Sequence, residues 1–420
     1  MQSFFSLYNK VVRAAVNNKI DEEFDEPEEL HDFDMHQLEC LLHPDKLSPV
    51  FRISDCNCSD EEKDECEKVC DFNAMSRDER GNINISKENC KGCGDCIEHC
   101  RAQNLTDRKD ILPVFELLNK SQAPVYAMIA PAFISQFSEN VTPGKLRSAF
   151  KKLGFAGMIE VALFADILTL KEALEFDRSI QTDKDFLLTS CCCPIWIAMI
   201  RKIYNSLIPH VPPSVSPMVA CGRSIKKLYP DAKTVFIGPC VAKKAEAKEK
   251  DIIDAVDYVL TFKETKDIFD IANINPELLE DDSRDHSSTA GRIYARTGGV
   301  SQAVQMTLER LKPDRKIPFR SQQANGTASC KELLNQIKSG NINANFLEGM
   351  GCVGGCVGGP KVLIKKEEGT IHVNRYGEEA SHKTPADNPY VIELLHQLGF
   401  DTIESLLDGD NIFTRKFLND

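Results

Sequence analysis

KTVFIGPCVAKKAEAKEK, residues 233–250, sets a short apolar run directly before a stretch with a helical pattern. The run closes with Gly238, Pro239 and Cys240, and Gly and Pro commonly mark the end of a strand. The same order occurs twice upstream, in VYAMIAP before KLRSAFKKLGF and in GMIEVAL before ILTLKEALEF. Strands that alternate with helices in this way predict an α/β domain built on parallel sheet.

The rest of the chain divides by composition. Residues 1–45 are helix-like and acidic, and they predict an N-terminal helical segment. Residues 46–110 are dense in cysteine and poor in large apolar side chains, so this segment needs metal to fold. Residues 111–420 hold the α/β pattern and end in PYVIELLHQLGFDTIESLLDGDNIFTRKF, which predicts one or two helices.

Charge and hydropathy narrow the class of protein. The chain has 420 residues and a formal net charge of -13, which disfavours binding to nucleic acid or anionic membranes. No apolar run approaches the roughly 18 residues of a transmembrane helix. The opening MQSFFSLYNKVVRAAVNNKI lacks the apolar core of a signal peptide and predicts an amphipathic helix, either packed on the protein or lying on a lipid surface. We therefore expect a cytoplasmic protein.

Seventeen cysteines are unusual in such a chain. A disulfide framework is typical of small secreted proteins, whereas this chain is long, acidic and without an export signal. Metal ligation explains so many reactive thiols better. Cys40, Cys221 and Cys330 stand outside any cysteine motif, and we expect them in the core.

CKGCGDCIEHC, residues 90–100, has the C-x2-C-x2-C-x3-C spacing of a bacterial ferredoxin. That spacing wraps a tight loop around one cubane cluster. Glycines at 92 and 94 allow the backbone to bend towards the sulfurs. The candidate ligands are Cys90, Cys93, Cys96 and Cys100.

CNCSDEEKDECEKVC, residues 56–70, resembles the first half of a two-cluster ferredoxin with an altered spacing. In that fold the fourth cysteine of each run ligates the other cluster. The resemblance therefore implies one ligand set of Cys56, Cys58, Cys66 and Cys100, and another of Cys90, Cys93, Cys96 and Cys70. A zinc site or a lost cluster is the alternative for the first run, because its insertion is acidic and its spacing unusual.

Three further cysteine segments lie far apart in sequence. They are LLTSCCCPIW (187–196), FIGPCVAKKAEA (236–247) and FLEGMGCVGGCVGG (346–359). One cysteine at the end of a strand-like run, one after a turn and a glycine-rich pair could converge on one cubane cluster, since glycine permits close approach to a bulky inorganic centre. For each segment alone, the alternative is an ordinary buried cysteine of an α/β core.

Taken in this order, the segments resemble the FeFe-hydrogenase family over roughly residues 50 to 400. That family carries TSCCP-x-W, then MPC-x2-K-x2-E, then E-x-M-x-C-x3-C followed by glycines. The matching positions here are Thr189, Ser190, Cys192, Cys193, Pro194 and Trp196; Pro239, Cys240, Lys243 and Glu246; and Glu348, Met350, Cys352, Cys356, Gly358 and Gly359.

The resemblance implies an α/β catalytic domain of two parallel-sheet lobes around an H-cluster, with an N-terminal ferredoxin-like α+β domain that carries two 4Fe-4S clusters. The H-cluster joins a cubane to a diiron unit with carbon monoxide, cyanide and azadithiolate. Its implied ligands are Cys193, Cys240, Cys352 and Cys356.

The resemblance also implies the pocket around the diiron unit. Lys243 would donate a hydrogen bond to a cyanide, for which a compact ammonium is well suited. Met350, Ala130 and Pro131 would line the pocket.

Proton transfer needs titratable groups at hydrogen-bond spacing. By resemblance, Cys192 is the proton-relaying cysteine, and Glu172 and Glu175 are the next carboxylates. These two glutamates lie three residues apart and can share one side of a helix. Outside this resemblance, such a pair would be ordinary surface charge.

Several positions depart from the family pattern. Gly238 replaces a methionine that packs over the diiron unit, which predicts a looser pocket. Ala132 and Met218 replace two polar residues near cyanide, and Pro212 stands where a relay serine is expected. A proline side chain cannot relay a proton. Cys191 is an additional cysteine without an assigned role.

These features lead to three functional hypotheses. The first is a hydrogenase that interconverts H2 with protons and electrons, the electrons coming from ferredoxin or another redox protein. The second is a low-turnover H2 or redox sensor with the same cofactor, which would need a separate signalling partner. The third is an iron–sulfur assembly carrier. It is less favoured, because such carriers typically lack the relay cysteine and end in tryptophan, whereas this chain has Cys192 and ends in Phe417-Leu418-Asn419-Asp420.

Overall fold

The computed structural model describes residues 3–24, 33–189 and 192–417, and its centre is a four-stranded parallel sheet. The run at 233–238 forms an inner strand, and its Ile237 lies opposite Ile129 on the neighbouring strand. The strands, in spatial order, are β6 (Gly157–Glu160), β5 (Val125–Ile129), β8 (Lys233–Gly238) and β9 (Tyr258–Thr261).

A second parallel sheet has three strands. Its central strand ends at Met350, and Met350 lies opposite Asn325 in the register. The strands, in spatial order, are β10 (Ser321–Asn325), β11 (Phe346–Met350) and β7 (Leu187–Leu188). The prediction of an α/β catalytic domain with two parallel-sheet lobes is confirmed.

Helices cover both sheets. The longest, α8, is buried on nearly all sides, because it packs against α10, α13 and α14. The helices after the cysteine-rich segment are α6 (Ile111–Lys120), α7 (Pro143–Lys152), α8 (Ala162–Ser179), α9 (Pro194–Lys202), α10 (Pro217–Leu228), α11 (Ala242–Glu246), α12 (Phe262–Ile271), α13 (Thr289–Arg292), α14 (Gly299–Leu311), α15 (Thr327–Lys338), α16 (Lys366–Glu378) and α17 (Pro389–Gln397). In the part of the chain that the structure describes, none is both long and apolar enough to cross a bilayer.

The cysteine-rich segment is a small α+β unit. Its core is small, with Val50, Met75, Ile83 and Leu105 packed beside cysteines. The elements are β1 (Val50–Arg52) antiparallel to β4 (Leu105–Asp107), β2 (Met75–Arg77) antiparallel to β3 (Ile83–Ile85), and helices α4 (Asp60–Lys68) and α5 (Asp95–His99). The limits at residues 46 and 110 stay a prediction.

The N-terminal helices α1 (Phe4–Val16), α2 (Ile20–Phe24) and α3 (Met35–Leu42) precede this unit. Leu7, Val11 and Val12 on α1 are buried, and the helix packs against α3, α6 and α12. The Tyr8 hydroxyl donates to Asp267 at 3.2 Å. Of the two sequence interpretations of the opening helix, the structure favours packing on the protein body.

A buried charged network joins the cysteine-rich unit to the α/β domain. The Lys244 ammonium donates to both carboxylate oxygens of Glu264 at 2.9 Å and to the carbonyl of Arg108 at 2.5 Å. Asp107 accepts from Lys109 at 2.9 Å and Lys361 at 2.7 Å. Burial alone would raise the pKa of Asp107, but the neighbouring lysines lower it by more than burial raises it. The carboxylate therefore stays charged.

Replacing Lys244 with methionine should lower the free energy of unfolding by about 3–5 kcal/mol, since Glu264 would remain buried without its cation. Urea unfolding followed by far-UV circular dichroism measures the change. Lys266→Ala is the matched control, because Lys266 forms an exposed ion pair with Asp270 on α12, the helix that also carries Glu264. It should cost less than about 0.5 kcal/mol. Equal losses in the two variants would show that the network does not stabilise the junction.

Candidate metal centres

The three distant cysteine segments follow the carboxyl ends of strands in the two sheets. Cys240 comes two residues after β8, and Cys352 two residues after β11. Cys193 is the residue before the first turn of α9, beyond β7. Residues after the carboxyl ends of parallel strands lie at one edge of a sheet, so each sheet directs its thiols towards the same seam.

Four thiols meet in that seam. Burial and the nearby thiol of Cys193 raise the pKa of Cys240 to about 11. Burial and the thiols of Cys240 and Cys193 raise the pKa of both Cys352 and Cys356. Clustered thiols that resist ionisation become good metal ligands when a metal cation replaces their protons. Cys193, Cys240, Cys352 and Cys356 form such a cluster.

Close packing around this set explains the small residues in its sequence. A Cβ atom at Gly349 would lie 2.0 Å from the ring of Trp196, whose indole nitrogen donates to the carbonyl of Thr189 at 3.0 Å. The amide of Gly351 donates to the Cys193 sulfur at 3.2 Å. Glu348 instead supports the fold, since its carboxylate accepts from the amides of Gly298 and Ser301 at the start of α14.

Lys243 is buried beside the thiols. Burial works to lower its pKa, but the carboxylate of Glu246 and the thiols of Cys240 and Cys356 raise it more. The Lys243 ammonium donates to Glu246 at 2.5 Å. A charged lysine is therefore fixed next to the sulfur atoms rather than solvated on a helix surface.

The other predicted pocket residues lie where β5 and β11 end. Ala130 is buried and its amide donates to the carbonyl of Ile237 at 2.8 Å. Pro131 begins a 3-10 turn, and Met350 is buried at the end of β11.

Gly238 does not leave an open space at the position of the missing methionine. A Cβ atom there would lie 2.7 Å from the ring of Phe236 and 3.1 Å from the methyl of Ala130. Phe236 lies two residues earlier on the same strand and therefore on the same face of the sheet. The expectation of a looser pocket at this point is wrong, because the phenyl ring fills the volume.

Cys330 is buried in the core, as expected, and it also lies near Cys193 and Cys192. It is buried on α15 and its thiol donates to the carbonyl of Met350 at 3.4 Å. Burial, together with Cys193 and Cys192, raises its pKa to about 12. No local motif marks Cys330, and its position becomes apparent only when α15 packs on β11. Cys40 and Cys221 are buried as expected.

The eight N-terminal cysteines form two groups. Burial and the thiols of Cys100, Cys58 and Cys56 raise the pKa of Cys66. Burial and the thiols of Cys90 and Cys70 raise the pKa of Cys96 to about 12. The structure thus brings together the same two sets of four that the ferredoxin resemblance implies.

The acidic insertion in the first run forms helix α4. A capping box between Ser59 and Glu62 starts this helix, which has no buried residue. A cleft of about 530 Å³ separates the helix from the end of α5. Its lining includes Cys58, Cys66 and Cys100 among acidic side chains.

The second N-terminal group touches the seam between the sheets. Gly92 has a φ of +71° and a Cβ atom there would lie 3.0 Å from the Cα of Ala242, two residues after Cys240. Only glycine combines that backbone conformation with so close an approach. Cys70 and Cys93 pack against the same apolar cluster as Cys193 and Cys240. The two metal-binding regions are therefore in direct contact.

The predicted proton-relay residues lie in the interior. Glu172 and Glu175 are both buried on α8, so they are not the ordinary surface charge that such a pair would be without the family resemblance. Glu175 contacts Lys171 at 3.4 Å and Arg178 at 2.6 Å, and the Arg178 side chain is 55% exposed. Cys192 lies close enough to Cys356 to raise its pKa.

The chain between α9 and α10 departs from the expected relay. Pro212 accepts a backbone hydrogen bond from Ser214 at 2.8 Å. The Ser214 hydroxyl is buried and has no hydrogen-bond partner among the described residues. Met218 is buried on α10. Ser190 and Cys191 lie outside the described residues.

Comparison with known proteins identifies relatives of two kinds. Residues 123–360 match the family described as the iron only hydrogenase large subunit, C-terminal domain. Iron hydrogenase 1 of Clostridium pasteurianum is 29% identical over 64% of this chain and 56% of its own length. Cytosolic iron-sulfur assembly component 3 of Pongo abelii is 24% identical over 74% of this chain and 79% of its own length. The chain thus spans little more than half the length of that hydrogenase.

The fold has a counterpart among solved structures. One solved structure that superposes on this chain is an [FeFe]-hydrogenase, with a TM-score of 0.59. In that protein, oxygen inactivation is initiated by modification and degradation of the 2Fe subcluster of the H cluster. The match covers 73% of this chain and 99% of that chain at 19% identity, and it shows a shared fold.

The grouping of the N-terminal thiols predicts how cysteine variants combine. Cys58→Ala and Cys100→Ala should each remove one cluster, or about four irons, because they belong to one set. The double variant should lose no more iron than either single variant, whereas Cys58→Ala with Cys70→Ala should lose about twice as much. Iron assays of anaerobically reconstituted protein measure this, with Cys221→Ala as control. Additive loss in the first pair would contradict the grouping.

Proposed function

Because the chain belongs to the iron-only hydrogenase large-subunit family, we propose that it binds an H-cluster and catalyses the reversible oxidation of H2 to protons and electrons. The observation that carries the proposal is the convergence of four partly buried thiols from three distant segments beside a buried lysine. When bound, the H-cluster supplies the iron centre at which H2 is formed or split.

The donor set fits the cubane part of this cofactor. Cys193, Cys240, Cys352 and Cys356 offer four thiolates, and thiolates are the usual ligands of iron–sulfur clusters. The backbone around Cys356 is tightly packed, since a Cβ atom at Gly355, whose φ is +82°, would lie 2.7 Å from the amide nitrogen of Thr297. We assign Cys356 as the thiolate shared with the diiron unit.

The residues beside the thiols would bind and shield the diiron unit. The Lys243 ammonium keeps donors beyond its bond to Glu246, and an anionic cyanide is a suitable acceptor for them. Ala130, Pro131 and Met350 provide apolar walls, and Phe236 adds an aromatic ring at the place where related proteins carry methionine. Apolar walls exclude water and strengthen the electrostatic interaction of Lys243 with its ligand.

Cys192 would hand protons to the reacting centre, since it is next to Cys193 and near Cys356. Glu172 and Glu175 would supply them along α8, with Arg178 at the solvent end. Pro212 breaks the side-chain relay at one position. A bridging water could complete that step without a side chain.

Electrons would reach the seam through the two N-terminal clusters. The Cys70, Cys90, Cys93 and Cys96 set adjoins the seam through Gly92, and the Cys56, Cys58, Cys66 and Cys100 set lies at the surface cleft. Glu61, Glu62 and Glu65 surround that cleft. Lys68, His99 and Arg101 line the same cleft, so its charge is mixed and does not by itself select the charge of a redox partner.

Two other functions remain as alternative proposals. A low-turnover sensor would use the same cofactor, and the departure at Pro212 favours it. An iron–sulfur assembly factor is supported by the likeness to the Pongo abelii protein, which this chain matches over a larger share of its length. Cys192 next to Cys193, with the buried Lys243, Glu172 and Glu175, argues for proton chemistry instead.

The proposal is tested with protein produced anaerobically and loaded with the diiron cofactor. We expect infrared bands of metal-bound carbonyl and cyanide, and H2 evolution from a chemically reduced dye. Bands with negligible turnover would assign the sensor role. Absence of the bands would exclude both functions that use the H-cluster and favour the assembly factor.

Cys192→Ala should lower H2 evolution by at least about a hundredfold, because it removes a group placed for proton transfer. Glu172→Gln should have a similar effect, since a neutral amide cannot carry the proton. The infrared bands should persist in both variants. Cys221→Ala, which removes a buried thiol on α10, is the matched control. If turnover in Cys192→Ala equals that of the control, Cys192 does not lie on the proton path.

A further inference from the structure

Glu139, Glu368 and His372 form a group that none of the metal centres above uses. One donor atom from each of the three side chains lies within 4.8 Å of the other two. His372 Nε2 is 3.8 Å from a Glu139 oxygen and 4.0 Å from a Glu368 oxygen. Atoms bound to one Zn²⁺ at about 2.0–2.2 Å lie about 3–4 Å apart, so the spacing matches shared coordination.

The imidazole of His372 has few partners for a buried polar group. Its side chain is only 8% exposed, and its ring makes no hydrogen bond to any described residue. The two carboxylate contacts are too long for hydrogen bonds. A ligand between the three groups would satisfy the ring nitrogen.

The charges of the group also favour a cation. Glu139 and Glu368 both face His372, and no lysine or arginine among the described residues forms an ion pair with either of them. Two carboxylates that share a site repel each other unless a positive charge lies between them. A divalent ion would neutralise both.

The group joins two parts of the chain that enclose the seam. Glu368 and His372 lie one turn apart on α16, whereas Glu139 precedes α7. α16 packs against the turn that holds Cys356, and Tyr376 packs edge-on against Phe133 at the end of the 3-10 turn that begins with Pro131. A metal here would fix the Glu139 loop against the helix that supports both pocket turns.

We propose that Glu139, Glu368 and His372 bind one divalent transition-metal ion. An imidazole with two carboxylates is a borderline donor set, which suits Zn²⁺ and also accepts Mn²⁺ and Fe²⁺. Because the Glu139 side chain is 71% exposed, water completes the coordination. The ion stabilises the loop that precedes α7. The site is independent of the H-cluster, so its test is independent of the proposed hydrogenase function.

Mn²⁺ is the probe for this site, because it prefers oxygen and nitrogen donors and avoids the thiols of the iron–sulfur sites. The full chain with its clusters is dialysed against chelator and titrated with Mn²⁺, and electron paramagnetic resonance reports the free ion. We expect one bound Mn²⁺ per chain, a ¹⁴N coupling from His372 in pulsed spectra, and displacement by Zn²⁺.

His372→Ala should weaken Mn²⁺ binding by at least about tenfold and remove the ¹⁴N coupling. Glu139→Ala should also weaken binding, and its exposed side chain makes a folding defect improbable as the cause. His396→Ala, at an exposed position on α17, is the matched control and should retain both signals. A wild-type spectrum without ¹⁴N coupling, or unchanged binding in Glu139→Ala and His372→Ala, would overturn the proposal.

Discussion

Thiols from three distant segments can meet only because the carboxyl ends of two parallel sheets face one seam. β8 delivers Cys240, β11 delivers Cys352 and Cys356, and the chain after β7 delivers Cys193. Parallel strands require crossover helices, so the helices that cover the sheets are a consequence of the same arrangement. The glycines and the tryptophan around the seam then follow from how closely the backbone must approach the sulfurs.

The cysteine-rich unit depends on this seam as well as on the clusters that we propose for its cysteines. Its apolar core is small, and it contacts the α/β domain through Gly92 and through a buried network of charges. Lys244 and Glu264 stabilise the junction on one side, and Asp107 holds Lys361 a few residues after Cys356. One network therefore links the strand that closes the small unit to the loop that carries a cluster ligand.

The departures from the hydrogenase pattern do not all have the same consequence. Gly238 is compensated within its own strand, because the ring of Phe236 occupies the space of a longer side chain. Pro212 has no such replacement in the side-chain relay, although the buried hydroxyl of Ser214 lies two residues away. The proposed cofactor pocket is thus better preserved than the proposed proton route, a combination that fits the alternative of a low-turnover protein.

The sequence by itself determined the α/β class, the ferredoxin-like run and the family, because each rests on spacing within about ten residues or on the order of short motifs. It could not reveal that Glu172 and Glu175 are buried, since a helix pattern does not say what covers α8. Cys330 beside Cys193 and Glu139 facing His372 were decided by tertiary structure alone. Each of these contacts joins residues whose proximity depends on how sheets and helices pack, and packing is a property of the whole chain rather than of any local stretch.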